Sequence, residues 1–165
     1  MGTEAAMHQQ WVRFKVVEGD LERFIEFDRE ASWPFVSEEA KRAMGYEEYS
    51  RRHRELVERL YASNIENKIF FAVDEEGRLL GAAWVGLRLD SVDYVPVGYL
   101  YDLEVAEHAR GGGVGTALLA AVEDYCRSRG VTRLALSTPV SNTAALRWYL
   151  KRGFRVARVY LEKRL

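Results

Sequence analysis

Four of the chain's thirteen glycines crowd into five positions, Gly111, Gly112, Gly113 and Gly115, between the apolar run "VGYLYDLEV" and the helix-forming "TALLAAVEDYC". Glycine costs roughly 0.5–1 kcal/mol relative to alanine in an ordered element. The cluster therefore requires a backbone path that side chains forbid, or close approach by another group. Beyond it Val114, Leu118, Ala121, Val122 and Tyr125 recur at the helical period, and Gly130 stands at the C′ position that ends such a helix. A strand that feeds a helix through glycine exposes successive N–H groups beside the positive end of the helix dipole, an arrangement suited to phosphate. It also confines the fold to architectures in which helices pack on a sheet.

The flanking segments agree. "WVRFKVV" alternates as a first strand, and "GDLERFIEFDREA" follows with Leu21, Phe24, Ile25 and Phe27 at helical spacing behind Asp20 as N-cap. Ser37 opens a second helical region that runs to about Tyr61, divided at Gly45, with Tyr49, His53, Leu56, Val57 and Leu60 as its apolar stripe. "KIFFAVD" and "LLGAAWVGLRL" read as strands joined by a hairpin at Gly77. "VGYLYDLEV" is apolar on both faces and belongs in the interior of the sheet. After the glycine loop and its helix come a buried strand "TRLALST", a helix "NTAALRWYLKR" capped by Asn142 and ended by Gly153, and a terminal strand "FRVARVYLEKRL". The sum is a mixed α+β sheet with about four helices.

At 165 residues the length fits a single domain over residues 1–165, with about residues 1–10 as a loose terminus. The formal charge of −1 gives no basic footprint for nucleic acid, and no apolar run approaches the ~20 residues of a membrane span. The opening "MGTEAAMHQQ" lacks a secretory signal, and Ala6 breaks the myristoylation pattern. One cysteine, Cys126, makes no internal disulfide and sits on the apolar side of its helix as core filler. These features point to a cytoplasmic protein, and a homodimer is left open.

Spacing decides among phosphate loops. No lysine follows Gly115, so G-x-x-x-x-G-K-[ST] fails, and Thr116 stands where a dinucleotide fingerprint from Gly111 and Gly113 needs glycine. Arg110, Gly113 and Gly115 form R-x-x-G-x-G, which resembles the acyl-CoA pyrophosphate loop of the GNAT superfamily of N-acyltransferases. Downstream, Asn142, Ala145, Tyr149, Gly153 and Phe154 match that family's N-x-x-A-x-x-x-Y-x-x-x-G-F pattern. The resemblance covers mainly residues 97–154; residues 1–70 share only the order of elements. It implies a mostly antiparallel sheet splayed between the fourth and fifth strands, with acetyl-CoA as co-substrate. The family ends in a two-strand hairpin, whereas eleven residues follow Phe154 here, so the hairpin is absent or fused into one strand.

The resemblance further implies that pantetheine pairs with the backbone of Leu103 and Val105, a backbone N–H polarising the thioester carbonyl. It places the diphosphate on Arg110, Gly111, Gly112, Gly113, Val114, Gly115 and Thr116, with Asn142, Ala145 and Tyr149 completing the cofactor site. Attack by a primary amine, of a small molecule or a protein N-terminus, passes through a tetrahedral intermediate. Tyr149 matches the position that donates a proton to the departing thiolate, the alternative being an aromatic core residue. An amine with pKa ~10.4 must also lose a proton. Asp102 and Glu104, two apart and so on one strand face inside an apolar run, are the candidate bases. Desolvation there raises their proton affinity. Pairing with a basic residue, a grip on the acceptor's cation and a water-mediated route stay open.

Other residues weigh less. His53 among the arginines of "SRRHRE" reads as a solvated face, and His108 as surface. Trp33, Trp84 and Tyr94 read as core or rim, and no spacing of His, Cys, Asp and Glu suggests a metal. Two further classes compete with the enzyme: a non-catalytic acyl-CoA-binding module and a nucleotide-binding regulatory domain.

Overall fold

The computed structural model describes residues 12–165. The N-terminal segment expected to be loose, with the absent targeting signals argued from it, lies outside the described residues, as does Trp11 of the expected first strand. The chain divides into two compact units, residues 1–135 and 136–165.

The first unit is built on a five-stranded sheet in the order β1 (Phe14–Glu18), β2 (Glu66–Asp74), β3 (Leu79–Leu89), β4 (Pro96–Val105) and β5 (Leu134–Ala135). β1 to β4 pair antiparallel, and β5 joins β4 in parallel. Between β1 and β2 run α1 (Leu21–Ser32) and α2 (Glu38–Ser63). Asp20 caps α1 by accepting from Arg23 N at 2.9 Å, and Ser37 caps α2 by accepting from Ala40 N at 3.2 Å. Gly45, with φ 67°, breaks the helical path of α2, as the sequence leads one to expect. α3 (Val114–Ser128) follows the glycine loop, and Gly130 closes it at φ 71°.

One core cluster joins Phe24 and Ile25 of α1, Val57 of α2, Ile69, Phe71 and Val73 of β2, and Ala82 and Trp84 of β3. α3 buries Val114, Leu118, Leu119, Val122 and Cys126 and packs on β2, β3 and β4. Each fully buried large apolar side chain contributes roughly 1.5–3 kcal/mol relative to leaving it exposed. Gly81 lets strand and helix close up, since a Cβ there would lie 2.6 Å from the Glu104 carbonyl oxygen and 3.1 Å from Leu118 and Val114.

β4 carries one register shift. Trp84 pairs with Asp102 but Val85 pairs with Leu100, so Tyr101 is the extra residue of a β-bulge. Tyr101 stacks on Trp84, ring centroids 4.2 Å apart, and its hydroxyl donates to Asn64 Oδ1 at 2.8 Å. The bulge reverses which face the following side chains take. Gly98 before it faces α3, where a Cβ would meet Cys126 Sγ. Asp102 and Glu104 after it sit opposite Trp84 and Ala82, on the side of α1 and α2.

Two expectations fail. "TRLALST" forms a ladder only at Leu134 and Ala135, which pair with Gly98 and Tyr99. In the second unit α4 (Thr143–Lys151) forms as expected, but the terminal segment after Gly153 contains no strand. Its alternating pattern supplies side chains for a pleat, while a strand exists only through hydrogen bonds to a neighbour, and the segment has no ladder among the described residues. Val156, Val159, Tyr160 and Leu161 are exposed. Among the described residues no helix is long and apolar enough to cross a membrane.

Candidate active site

Because β5 pairs only with Gly98 and Tyr99, the side of β4 turned away from β3 carries no strand from Leu100 onward among the described residues. Ala106 N donates to Leu80 O at 2.8 Å, on the β3 side. Alternation along the strand therefore turns the peptide groups of Asp102 and Glu104 toward β3 and those of Leu103 and Val105 toward the open edge. An extended chain with amides of its own fits that edge.

The open edge runs into the glycine loop. A 3-10 turn at Glu107–Ala109 leads to Arg110, which is exposed. Gly111 and Gly113 then take φ of 80° and 83°, the left-handed region that costs other residues roughly 1–2 kcal/mol. A Cβ at either would meet nothing within 4 Å, so the demand for glycine here is conformational and the space above the loop is open. Gly113 is the N-cap of α3 and provides no side-chain acceptor, and the first turn of α3 has no acidic residue. α1 and α2, by contrast, have capping side chains and acidic first turns. The N–H groups at the start of α3 thus keep their capacity for an external anion. Val114 contributes its backbone alone, since its side chain is buried.

The carboxylates expected on one face of β4 are brought together with a third. Asp28 of α1, Asp102 and Glu104 each offer an oxygen within 4.8 Å of the others. Ser32 Oγ donates to Asp28 Oδ1 at 3.0 Å and lies 3.4 Å from Glu104 Oε1. His53 Nε2 lies 2.5 Å from Asp28 Oδ2. Desolvation, reinforced by the Asp28 charge, pushes Glu104 up to about 8 against the opposing pull of Ser32 and Arg110. Burial holds Asp102 well above the ordinary carboxylate range, with the charges of Asp28 and Glu104 adding to it. Tyr49 is pushed up to about 12, first by burial and then by Asp28. The Asp28 oxygens are engaged by hydrogen bonds, and burial favours the protonated form of both β4 carboxyls.

His53 is a correction. Arg51 and Arg52 beside it are exposed and Arg54 is half-buried, but its own side chain is only 8% exposed and faces Asp28 and the Tyr49 ring, 5.7 Å between centroids. Asp28, Ser32 and His53 were missed as site residues. The apolar stripe that joins His53 to the buried Tyr49 and Val57 turns it inward, a signal that the solvated-face reading of its arginine neighbours overrides. Cys126 is buried as expected, Trp84 is core, and Tyr94 is exposed on the β3–β4 turn. His108 is on the surface.

The remaining expected residues belong to the second unit. Asn142 Oδ1 accepts from Ala145 N at 3.2 Å and caps α4. Tyr149 is half-buried, its ring edge-on to Trp148 and Phe154 with centroids 5.1 and 5.3 Å away.

Known proteins resemble this chain in sequence and in fold. A 42% identity over 84 residues, 50% of this chain and 27% of the relative, links the chain to a mycothiol acetyltransferase of Salinispora tropica. A mycothiol acetyltransferase of Renibacterium salmoninarum is 32% identical over 83 residues, 50% of this chain and 25% of its own. The matched region thus spans about a quarter of these curated relatives. A putative acetyl transferase from Pyrococcus furiosus superposes with a TM-score of 0.85 at 38% identity, covering 93% of this chain and 100% of the other. The fold is shared with an aminoglycoside N-acetyltransferase, AAC(6')-Iy, solved in complex with CoA, at a TM-score of 0.66 and 20% identity over 93% and 95% of the two chains. The family model for the acetyltransferase (GNAT) family matches residues 24–154, and the chain belongs to that family.

Proposed function

We propose that this chain transfers an acetyl group from acetyl-CoA to a primary amine, of a small molecule or a protein N-terminus, by direct attack on the thioester. The observation that carries the reading is the position of Glu104, a carboxyl pushed up to about 8, on the strand whose open edge leads into the glycine loop. Acetyl-CoA supplies the activated acyl group. The peptide groups of Leu103 and Val105 hold its pantetheine as an added strand. The backbone from Gly111 to Thr116 receives its diphosphate, with Arg110 adding charge.

Glu104 takes the proton from the acceptor ammonium. An ordinary glutamate would face a gap of about 6 units to an amine of pKa ~10.4, or roughly 8 kcal/mol; at about 8 the gap is near 2.4 units, or roughly 3 kcal/mol. Asp102, better desolvated, keeps its proton and donates toward Asp28. For the second unit the reading rests on the motif alone, which gives Tyr149 the role of proton donor to the departing thiolate. The Asp28 charge in the cluster favours a cationic acceptor over a neutral one.

The test is thiol release from acetyl-CoA with a panel of amines that includes an aminoglycoside, a polyamine, an amino acid and a peptide. Turnover with at least one amine is expected, and Tyr149→Phe lowers kcat by about 10²-fold, the low end for a lost general acid because a thiolate leaves easily. No release with any acceptor would leave an acyl-CoA-binding module.

A further inference from the structure

Behind the two β4 carboxyls, α1 and α2 bury a pair of polar groups that the transfer chemistry does not use. The side chains of Asp28 and His53 are 12% and 8% exposed. An N···O separation of 2.5 Å between His53 Nε2 and Asp28 Oδ2 sets lone pair against lone pair unless a proton lies between them. Ser32 holds the other Asp28 oxygen. Asp28 therefore has a partner on each oxygen, whereas Asp102 Oδ2 and Glu104 Oε2 are buried without one. Both Asp28 oxygens are thereby held in place on α1, one of them within 4.8 Å of an oxygen of Glu104.

We propose that Asp28, fixed by His53 and Ser32 within 4.8 Å of the Glu104 carboxyl, is a positioning residue that acts on Glu104 in its role as a base. The inference rests on the acetyl-transfer reading. The charged and titratable groups around the cluster are Asp28 and Arg29 from α1, Tyr46, Tyr49 and His53 from α2, Asp102 and Glu104 from β4, and Arg110 from the loop. Among them Asp28 is the negative charge that raises Glu104, second only to burial, while Ser32 and Arg110 oppose it. Its removal lowers Glu104 part of the way, because burial remains.

Carbon-13 carboxyl NMR of Glu104 in the full chain reads the effect directly, and the pH profile of kcat/KM reads it in turnover. In Asp28→Asn the Glu104 midpoint falls by roughly 1–2 pH units, as expected for a charge lost at this range, and the acidic limb of kcat/KM moves down with it. Asp28→Glu keeps the charge and holds the midpoint near wild type. His53→Gln keeps an N–H donor and the Asp28 charge, so its midpoint stays at the wild-type value or above. Asp28→Ser, smaller and equally neutral, replaces the amide variant if that one does not fold. A merely structural Asp28 would lower the melting temperature and leave the midpoint unmoved. An unmoved or raised midpoint in a folded neutral variant overturns the inference, as does an equal fall in His53→Gln. Wild-type turnover with an unmoved limb sinks this proposal alone; wild-type silence toward every amine sinks the acetyl-transfer reading, and the NMR midpoint still decides the charge effect.

Discussion

At the scale of single residues, the chemistry turns on how far water has been removed from Glu104. A midpoint of about 8 leaves the carboxyl mostly protonated at pH 7 and half ionised one unit higher. kcat/KM is therefore expected to rise about tenfold per pH unit below 8 and level off above it, a profile that steady-state thiol release measures. Glu104→Gln removes the rising limb and lowers kcat by about 10²–10⁴-fold, with little change in the KM for acetyl-CoA. Asp102 and Glu104 could be singled out from sequence because charges inside an apolar run are costly without a purpose. Asp28 could not be. It sits in "EFDREAS", where Glu26, Arg29 and Glu30 beside it hide which charge turns inward. His53 is the instructive case, since it lies among arginines while its neighbours one turn away, Tyr49 and Val57, are buried. The helical spacing places His53 correctly, although Leu56 of the same expected stripe is 54% exposed.

Elements place those residues, and here backbone conformation matters more than side-chain identity. Gly113 holds φ 83° at the start of α3 with open space around its absent Cβ. Gly113→Ala therefore meets no clash but costs roughly 1–2 kcal/mol in the left-handed region. In a chain of this size that lowers the melting temperature by about 2–8 °C. It also weakens acetyl-CoA binding, by up to about tenfold if the loop shifts to relieve the strain, which calorimetry checks. The order of strands and helices was legible because caps and glycines mark their ends: Asp20, Ser37, Gly45, Gly77 and Gly130 all act as the sequence suggests. What pairing alone determines was not. "TRLALST" has the pattern of a full strand and forms two ladder positions, and nothing in Tyr101 announces that it is the extra residue of a bulge. That bulge decides the face on which Asp102 and Glu104 lie, so the two-residue spacing fixed their companionship but left their surroundings open.

Across the whole molecule, the acidic cluster makes folding stability depend on pH in a direction opposite to that of most carboxylates. A carboxyl whose affinity for its proton is raised by folding binds that proton in the native state after the unfolded chain has released it. For Glu104 the window runs from the ordinary 4.5 to about 8, and Asp102 is shifted in the same direction. Within it the native state holds more protons than the unfolded one, so stability is fully present below about pH 4.5 and is lost as the pH climbs to 8. The paired surface acids Glu22 and Glu48, both lowered by arginine partners, act in the reverse sense, but they are exposed and their effect lies in the acid range. Between pH 6 and 9 the buried pair therefore dominates. Urea unfolding of wild type is expected to show stability falling across this interval, on the order of 1–3 kcal/mol for Glu104 after allowance for its partial exposure. Glu104→Gln keeps the buried polar group without its charge, so its curve is flatter and the variant gains on wild type as the pH rises. A wild-type stability that rises through this interval, or a Glu104→Gln curve parallel to it, would show that the carboxyl is not desolvated in the folded chain. The same desolvation underlies its reading as a base, so the folding curve tests the chemistry without any substrate.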